Sequence, residues 1–377
     1  MRKKIIFLTG TRADYGKIKS ILLSLDRHAD FELFVFVTGM HMHKEYGSTY
    51  REVLKDGYTN IFTFINQRSD FPSAMDITLS NTIEGFSAYV QENKPDMVVV
   101  HGDRIEALAA TIVGAIKNIT VAHIEGGEVS GTIDESIRHA ITKMAHVHFV
   151  ANEESRSRIK QLGEDEKRIF VIGSPDIDIM ISPNLPTWEA TKKRYDISFD
   201  DFGIVLFHPV TTSYSEMAEN AKIFMEAVQE SGKNYIVIHP NNDTGRTFIV
   251  EEYEKLVGNP QFRVFTSVRF EHFLTMLKNA TFIVGNSSAG VREASYYGTH
   301  AIDIGDRQKN RYASHVGITH TSYDKLQILS AIKNAKKTET PCAQHFGAGN
   351  STEVFMNILS TPLLWELPLQ KHFIDRE

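Results

Sequence analysis

Cysteine is nearly absent: the 377 residues contain one, Cys342. That excludes an internal disulfide framework, a cysteine-built zinc site and a Cys-x-x-Cys redox pair, and makes a reducing compartment the simplest home. Long apolar runs are missing too. No window approaches the roughly 18 apolar residues of a membrane span. In the basic start MRKKIIFLTG, Gly10 ends an apolar run, Ile5 to Leu8, that is too short for a signal-peptide core. A cytoplasmic protein is expected. Basic charge is not in excess either: the formal net charge is -6, which disfavours a nucleic-acid binder, because phosphate backbones need a basic face. A local basic pocket for a small anion stays open. No low-complexity tract and no repeat at solenoid spacing is visible.

What is present is an ordinary globular composition, 42% hydrophobic and 23% charged, on a chain longer than one core usually grows. Two domains are the default. Short apolar runs (KIIFLT, ELFVFVT, DMVVVH, ITVAHI, HVHFVA, RIFVIG) alternate with helical spacing in the first half, which reads as a parallel sheet covered by helices. The stretch GSPDIDIMISPNLP, residues 173–186, breaks the pattern with three prolines and a glycine and is the expected linker. FGIVLFHP, NYIVIHP, FRVFTS, ATFIVGN and HAIDIG then resume it. The expectation is an α/β protein of two doubly wound, Rossmann-like domains across a cleft, residues 1–175 and 187–361, with residues 362–377 helical and packing back near the first.

Ligands of open α/β sheets bind at the carboxyl ends of the strands, so the polar residues there are the candidates. HGDRIEALAA follows the run MVVV at once with Asp103 and Arg104. HIEGGEVSG places Glu125 and Glu128 after the next strand, and Asp134 opens the following helix, where Thr132 and Glu135 have capping-box spacing. Gly126 and Gly127 suit a carboxylate held on a tight turn. In TFIVGNSSAGVREASYYG a strand ends at Gly285, Ser287 and Ser288 follow, and Gly290 is expected to let backbone come close as a helix begins; amides there suit a phosphate, and Glu293 a ribose hydroxyl. A serine-capped helix is the plainer reading. Arg12, Arg104 and Arg307 all follow strands, where guanidinium groups can clamp a diphosphate. LTGTRADYGK is neither GxGxxG nor a P-loop. His208 and His239 end strands before proline, and PNNDTG is a turn whose Asn241 and Asp243 could face a nucleotide. Neither HxxxH nor Asp-x-Asp accompanies the carboxylates to suggest a metal.

Together GTRADYGK, HGDRIEALA, HIEGGEVSGTIDESIRHAITK, HPVTT, GNSSAGVREA and GDRQKNR resemble the hydrolysing UDP-N-acetylglucosamine 2-epimerases, the family of bacterial sialic-acid biosynthetic enzymes and of the epimerase half of the vertebrate epimerase/kinase. The resemblance implies a glycosyltransferase-B fold, with the nucleotide mostly on the second domain: Ser287 and Ser288 on its phosphates, Glu293 on its ribose, and Arg12, Arg104 and Arg307 near the diphosphate. It further implies Asp103, Glu125, Asp134 and His208 as catalytic positions, with Asp103 or Glu125 taking the C2 proton, Asp134 in acid/base or water-handling work, and His208 as proton donor or phosphate contact. No cofactor or metal is implied; the partner is a nucleotide sugar, and the chain is expected as a homodimer or homotetramer. His300 departs from the proline that the family favours. Open alternatives are a GDP-linked or 4-acetamido-6-deoxy sugar, the non-hydrolysing reaction, a glycosyltransferase and a sugar-nucleotide sensor.

Overall fold

The computed structural model describes residues 2–67, 74–308, 317–338 and 344–375. Cys342 and the residues of GDRQKNR after Gln308 lie outside them. The chain forms two compact units: residues 1–128, 134–181 and 345–377 make the first, and residues 129–133 and 182–344 the second.

In the first unit seven strands lie in the order β3-β2-β1-β4-β5-β6-β7, all parallel. They are β1 Lys3–Thr9, β2 Phe31–Val37, β3 Asn60–Thr63, β4 Met97–His101, β5 Thr120–Ile124, β6 Val147–Val150 and β7 Ile169–Val171. Helices covering them are α1 Arg12–Asp26, α2 Tyr50–Lys55, α3 Met75–Asn93, α4 Ile105–Ile116, α5 Ile133–Met144, α6 Glu153–Gln161 and α7 Pro175–Met180. Both faces of a doubly wound sheet are dry, so its strands read as unbroken apolar runs rather than alternating ones. Alternate residues nevertheless feed two cores: Ile5, Phe7, Val35 and Val99 on one face, Ile6, Leu8, Phe36 and Val98 on the other.

The second unit repeats the plan with six parallel strands in the order β10-β9-β8-β11-β12-β13. These are β8 Gly203–Leu206, β9 Tyr235–Ile238, β10 Phe262–Phe265, β11 Phe282–Gly285, β12 His300–Ile304 and β13 Ile318–Thr321. Its helices are α8 Trp188–Tyr195, α9 Met217–Glu230, α10 Arg246–Glu254, α11 Phe270–Asn279, α12 Ser288–Val291, α13 Glu293–Tyr296 and α14 Lys325–Asn334. The order reverses between β1 and β4 in one sheet and between β8 and β11 in the other, the switch points where such sheets take ligands.

Three expectations are corrected. The stretch 173–186 is only partly a connector: Pro175 starts α7, whose Asp176 and Ile177 are buried, and the chain passes to the second unit after Ile181. The chain rejoins the first unit at His345, earlier than expected, because helix α15, Ser351–Leu359, buries Phe355 against Phe149 and Phe7, with ring centroids 4.7 and 6.4 Å away. Burying one such ring contributes about 1.5–3 kcal/mol. Beyond it, residues 362–377 are helical only over α16, Pro362–Trp365, among those described. Among the described residues no helix is long and apolar enough to cross a membrane.

Candidate functional site

The first unit gathers its polar residues where β1, β4 and β5 end. Glu125 follows β5 in left-handed backbone, φ 65°, although it is not glycine. Such a conformation costs about 1–2 kcal/mol and persists only where the surroundings enforce it. Here they do. The carboxylate is buried; its Oε1 accepts from the Ser174 hydroxyl at 2.9 Å, its Oε2 lies 3.4 Å from Nε2 of His101, and Lys17 Nζ stands 3.8 Å from it and 3.6 Å from Asp176. A buried carboxylate with hydroxyl, imidazole and ammonium around it is oriented and compensated.

Asp103, in the turn after β4, is one-quarter exposed and pairs through Oδ2 with Arg138 of α5. Asp134 is the second residue of α5, one turn before Arg138. Arg104 is turned to the fully buried Glu106, Nε to Oε2 at 3.2 Å. Arg12 is held bidentately by Glu52, with Nε to Oε2 at 3.0 Å. Nearby His41 is enclosed between Thr9 and Thr49, and burial, with the Arg12 guanidinium beside it, pulls its imidazole down to about 3. Burial pushes the Asp14 carboxyl up, against the hydrogen bonds it accepts from Thr9 and Gly10, while with Thr11 it forms the capping box of α1.

In the second unit Asn286 organises the strand ends. Fully buried after β11, it accepts the His208 backbone N–H at 2.7 Å and donates to the His208 carbonyl at 2.8 Å. Its own carbonyl accepts from Gln308 at 2.8 Å and from Arg307 Nη1 at 3.3 Å. Nδ1 of His208 accepts the backbone N–H of Asn241 at 3.1 Å, while the Asn241 side chain donates to Asp243. His208, Asn241 and Arg307 are thus brought together around the loop that carries Ser287 and Ser288. Ser287 caps α12, accepting from Ala289 N at 3.3 Å. That helix breaks at Arg292, and Glu293 begins α13 as a buried residue. The close approach is made by Gly285 rather than Gly290. With φ 144°, a Cβ on Gly285 would lie 2.1 Å from the Leu206 carbonyl, whereas one on Gly290 would sit at an ordinary 3.5 Å from Ala301.

Lys17, Ser174, Asp176, Arg138, Glu106 and Asn286 were not singled out from sequence. Lys17 and Arg138 lie inside quoted motifs and follow their helix-opening residues by little more than a turn; Ser174 and Asp176 were hidden in the supposed linker. Among the described residues no group of three or more His, Cys, Asp or Glu is placed to hold a metal.

Two doubly wound sheets, each with buried, hydrogen-bonded polar residues gathered at its carboxyl edge, define a two-unit α/β protein of the kind that takes ligands at switch points. The particular family is the UDP-N-acetylglucosamine 2-epimerases, to which the chain belongs: the model for that family matches residues 23–360. The chain is 47% identical over 379 residues to a UDP-N-acetylglucosamine 2-epimerase of Neisseria meningitidis, covering 99% of each. It is 32% identical to the UDP-N,N'-diacetylbacillosamine 2-epimerase (hydrolyzing) of Legionella pneumophila, covering 100% of this chain and 99% of that one. The fold matches the crystal structure of the Methanocaldococcus jannaschii UDP-GlcNAc 2-epimerase in complex with UDP-GlcNAc and UDP, with a TM-score of 0.79 at 21% identity over 95% of this chain and 99% of that one. The fold is accordingly the two-domain, glycosyltransferase-B-like arrangement of parallel sheets.

Proposed function

We propose that this protein is the hydrolysing kind of epimerase, converting UDP-N-acetylglucosamine and water to N-acetylmannosamine and UDP. The observation that carries the reading is the pair of carboxylates at the ends of neighbouring strands, Asp103 after β4 and Glu125 after β5, one partly open and the other caged. The full-length relative named as hydrolysing supports the same branch. In the first step the bond from C1 to the diphosphate breaks, its electron pair leaving with UDP, while a carboxylate takes the C2 proton, giving 2-acetamidoglucal. In the second, water adds hydroxyl to C1 and a proton returns to C2 on the opposite face.

No carbonyl acidifies C2, so leaving-group departure leads and the ring gathers positive charge. Arg12, Arg104 and Arg307, the loop of Ser287 and Ser288, and His208 serve the departing diphosphate, and Glu293 and Asn241 serve the nucleoside end. Asp103 takes the C2 proton, since it is the more exposed of the two carboxylates. Glu125 stabilises the ring cation, and Asp134 handles the proton or water of the second step. The working form is a homodimer or homotetramer. Proton NMR of UDP-N-acetylglucosamine with the protein in heavy water tests this: free UDP and N-acetylmannosamine deuterated at C2 are expected. Release of UDP-N-acetylmannosamine instead would place the protein in the non-hydrolysing branch, and turnover only of 4-acetamido-6-deoxy or GDP-linked sugars would reassign the substrate.

A further inference from the structure

Helix α5 grips the turn after β4 at two points. Arg138, 2% exposed, pairs through Nη2 with Oδ2 of Asp103 and donates from Nη1 to the Glu128 carbonyl at 3.3 Å. One turn on, the fully buried Thr142 lies 3.1 Å from Nδ1 of His123, whose Nε2 is 2.8 Å from the Gly102 carbonyl. A carbonyl only accepts, so the His123 proton sits on Nε2 and Thr142 donates to Nδ1. Burial pulls this imidazole down to about 3, so it stays neutral. Gly102 takes left-handed backbone, φ 73°, to make the turn. Positions 138 and 142 share one face of the helix.

We propose that Arg138 is the positioning residue for Asp103: from the side of α5 it engages Oδ2 and keeps the carboxylate ionised, leaving Oδ1, which has no partner among the described residues, to accept the proton. This rests on the epimerase reading of Asp103. The fork suits the task because it reaches two acceptors on separate loops, Asp103 and the Glu128 carbonyl, where an ammonium reaches one. It also ties the proton acceptor to the helix whose second residue is Asp134, so the two candidate carboxylates keep a common register.

The charged and titratable groups around the joint are Arg138 of α5, Glu128 of the loop after β5, His123 of β5, Arg104 on the turn itself and His101 at the end of β4, the last two directed to Glu106 and Glu125. The test compares wild type, Arg138→Met and Arg138→Lys by kcat and kcat/KM against pH, with thermal unfolding to confirm folding. Arg138→Met is expected to move the acid limb of kcat/KM up by about 1–3 pH units. At neutral pH its kcat should fall by about 100-fold with KM near wild type. Arg138→Lys restores the limb but not the full kcat. A folded Arg138→Met protein with an unmoved limb, or a loss confined to KM, overturns the proposal. If Arg138→Met does not fold, wild-type kcat in Arg138→Lys overturns it and a lowered kcat with the limb in place supports it. If wild type turns over no nucleotide sugar, the epimerase reading falls separately. The grip is then read from the Asp103 carboxyl resonance in carboxyl-13C aspartate-labelled protein, assigned with Asp103→Asn. A titration displaced upward in whichever Arg138 variant folds supports the grip, and an undisplaced one overturns it.

Discussion

The backbone N–H of Asn241 points at Nδ1 of His208, 3.1 Å away. A backbone amide only donates, so Nδ1 must accept and the ring proton resides on Nε2. Protonating Nδ1 would set two donors face to face. Of the two roles open to His208, a standing neutral donor to the leaving diphosphate is therefore favoured over an acid that cycles through imidazolium. Nitrogen-15 NMR should find the Nε2–H tautomer at neutral pH. His208→Ala should lower kcat by about 10²–10³-fold, the usual cost of one lost donor at developing negative charge. An Nδ1–H tautomer would remove the basis for this assignment.

Ser174 donates to the Glu125 carboxylate at 2.9 Å with both side chains buried. A hydrogen bond to a charged group contributes about 1.5–3 kcal/mol, so Ser174→Ala should lower kcat by roughly 10- to 100-fold while Ser174→Thr, which keeps the hydroxyl, loses less. Equal activity in the two variants would show that the hydroxyl does not govern Glu125.

Gly285→Ala should destabilise the second unit whatever its effect on turnover. Backbone at φ 144° costs a side chain about 1–3 kcal/mol, and the added Cβ would stand 2.1 Å from the Leu206 carbonyl. Urea unfolding is the measurement; a stability within error of wild type contradicts it. Gly290→Ala, by contrast, should be tolerated.

Acid should loosen the first unit before its carboxylates titrate. His41 and His123 are pulled from 6.5 to about 3, chiefly by burial. The unfolded chain binds these protons below about 6.5 and the folded chain does not, so the stability is whole above pH 6.5 and lost as pH falls toward 3. Glu164, held at about 2 because burial, the largest single influence, is outweighed by the hydrogen bonds from His148, Lys143 and Lys371 taken together, adds its share only below its ordinary 4.5. The interval between 6.5 and 4.5 is therefore set by the histidines, with a slope of up to about 1.4 kcal/mol per pH unit for each, opposed in part by Asp14, whose raised carboxyl takes up a proton above its ordinary 3.8 in the folded chain. Urea midpoints that stay flat across that interval would contradict their burial as neutral rings.

The central strands were legible because a sheet dry on both faces demands apolar runs, and MVVVH or KIIFLT can hardly be read otherwise. Strands β3 and β13 escaped because both are edges: NIFT is half open to water and ITHT alternates polar groups, so neither carries that demand. Pro175 looked like a chain breaker but occupies the first turn of α7, where a missing N–H costs nothing. At the site, residues directly following strands were visible as polar groups after apolar runs. Arg138 and Ser174 were not, since a buried hydrogen-bonding partner reached from elsewhere in the chain leaves no periodic trace; Asn286 does follow a strand, but its bonds to His208 join segments distant in sequence.

The return of His345–Glu377 to the first unit also sets an order of assembly. Apart from Val129–Ile133, the second unit is one continuous stretch and leaves the ribosome whole, whereas Phe355, which packs between Phe7 and Phe149, emerges only after all of it. During translation the opening half of the polypeptide therefore waits with an unfilled core while a later-made half can already fold, and a nonsense codon between His345 and Phe355 would spare the second unit and leave the first without its packing ring.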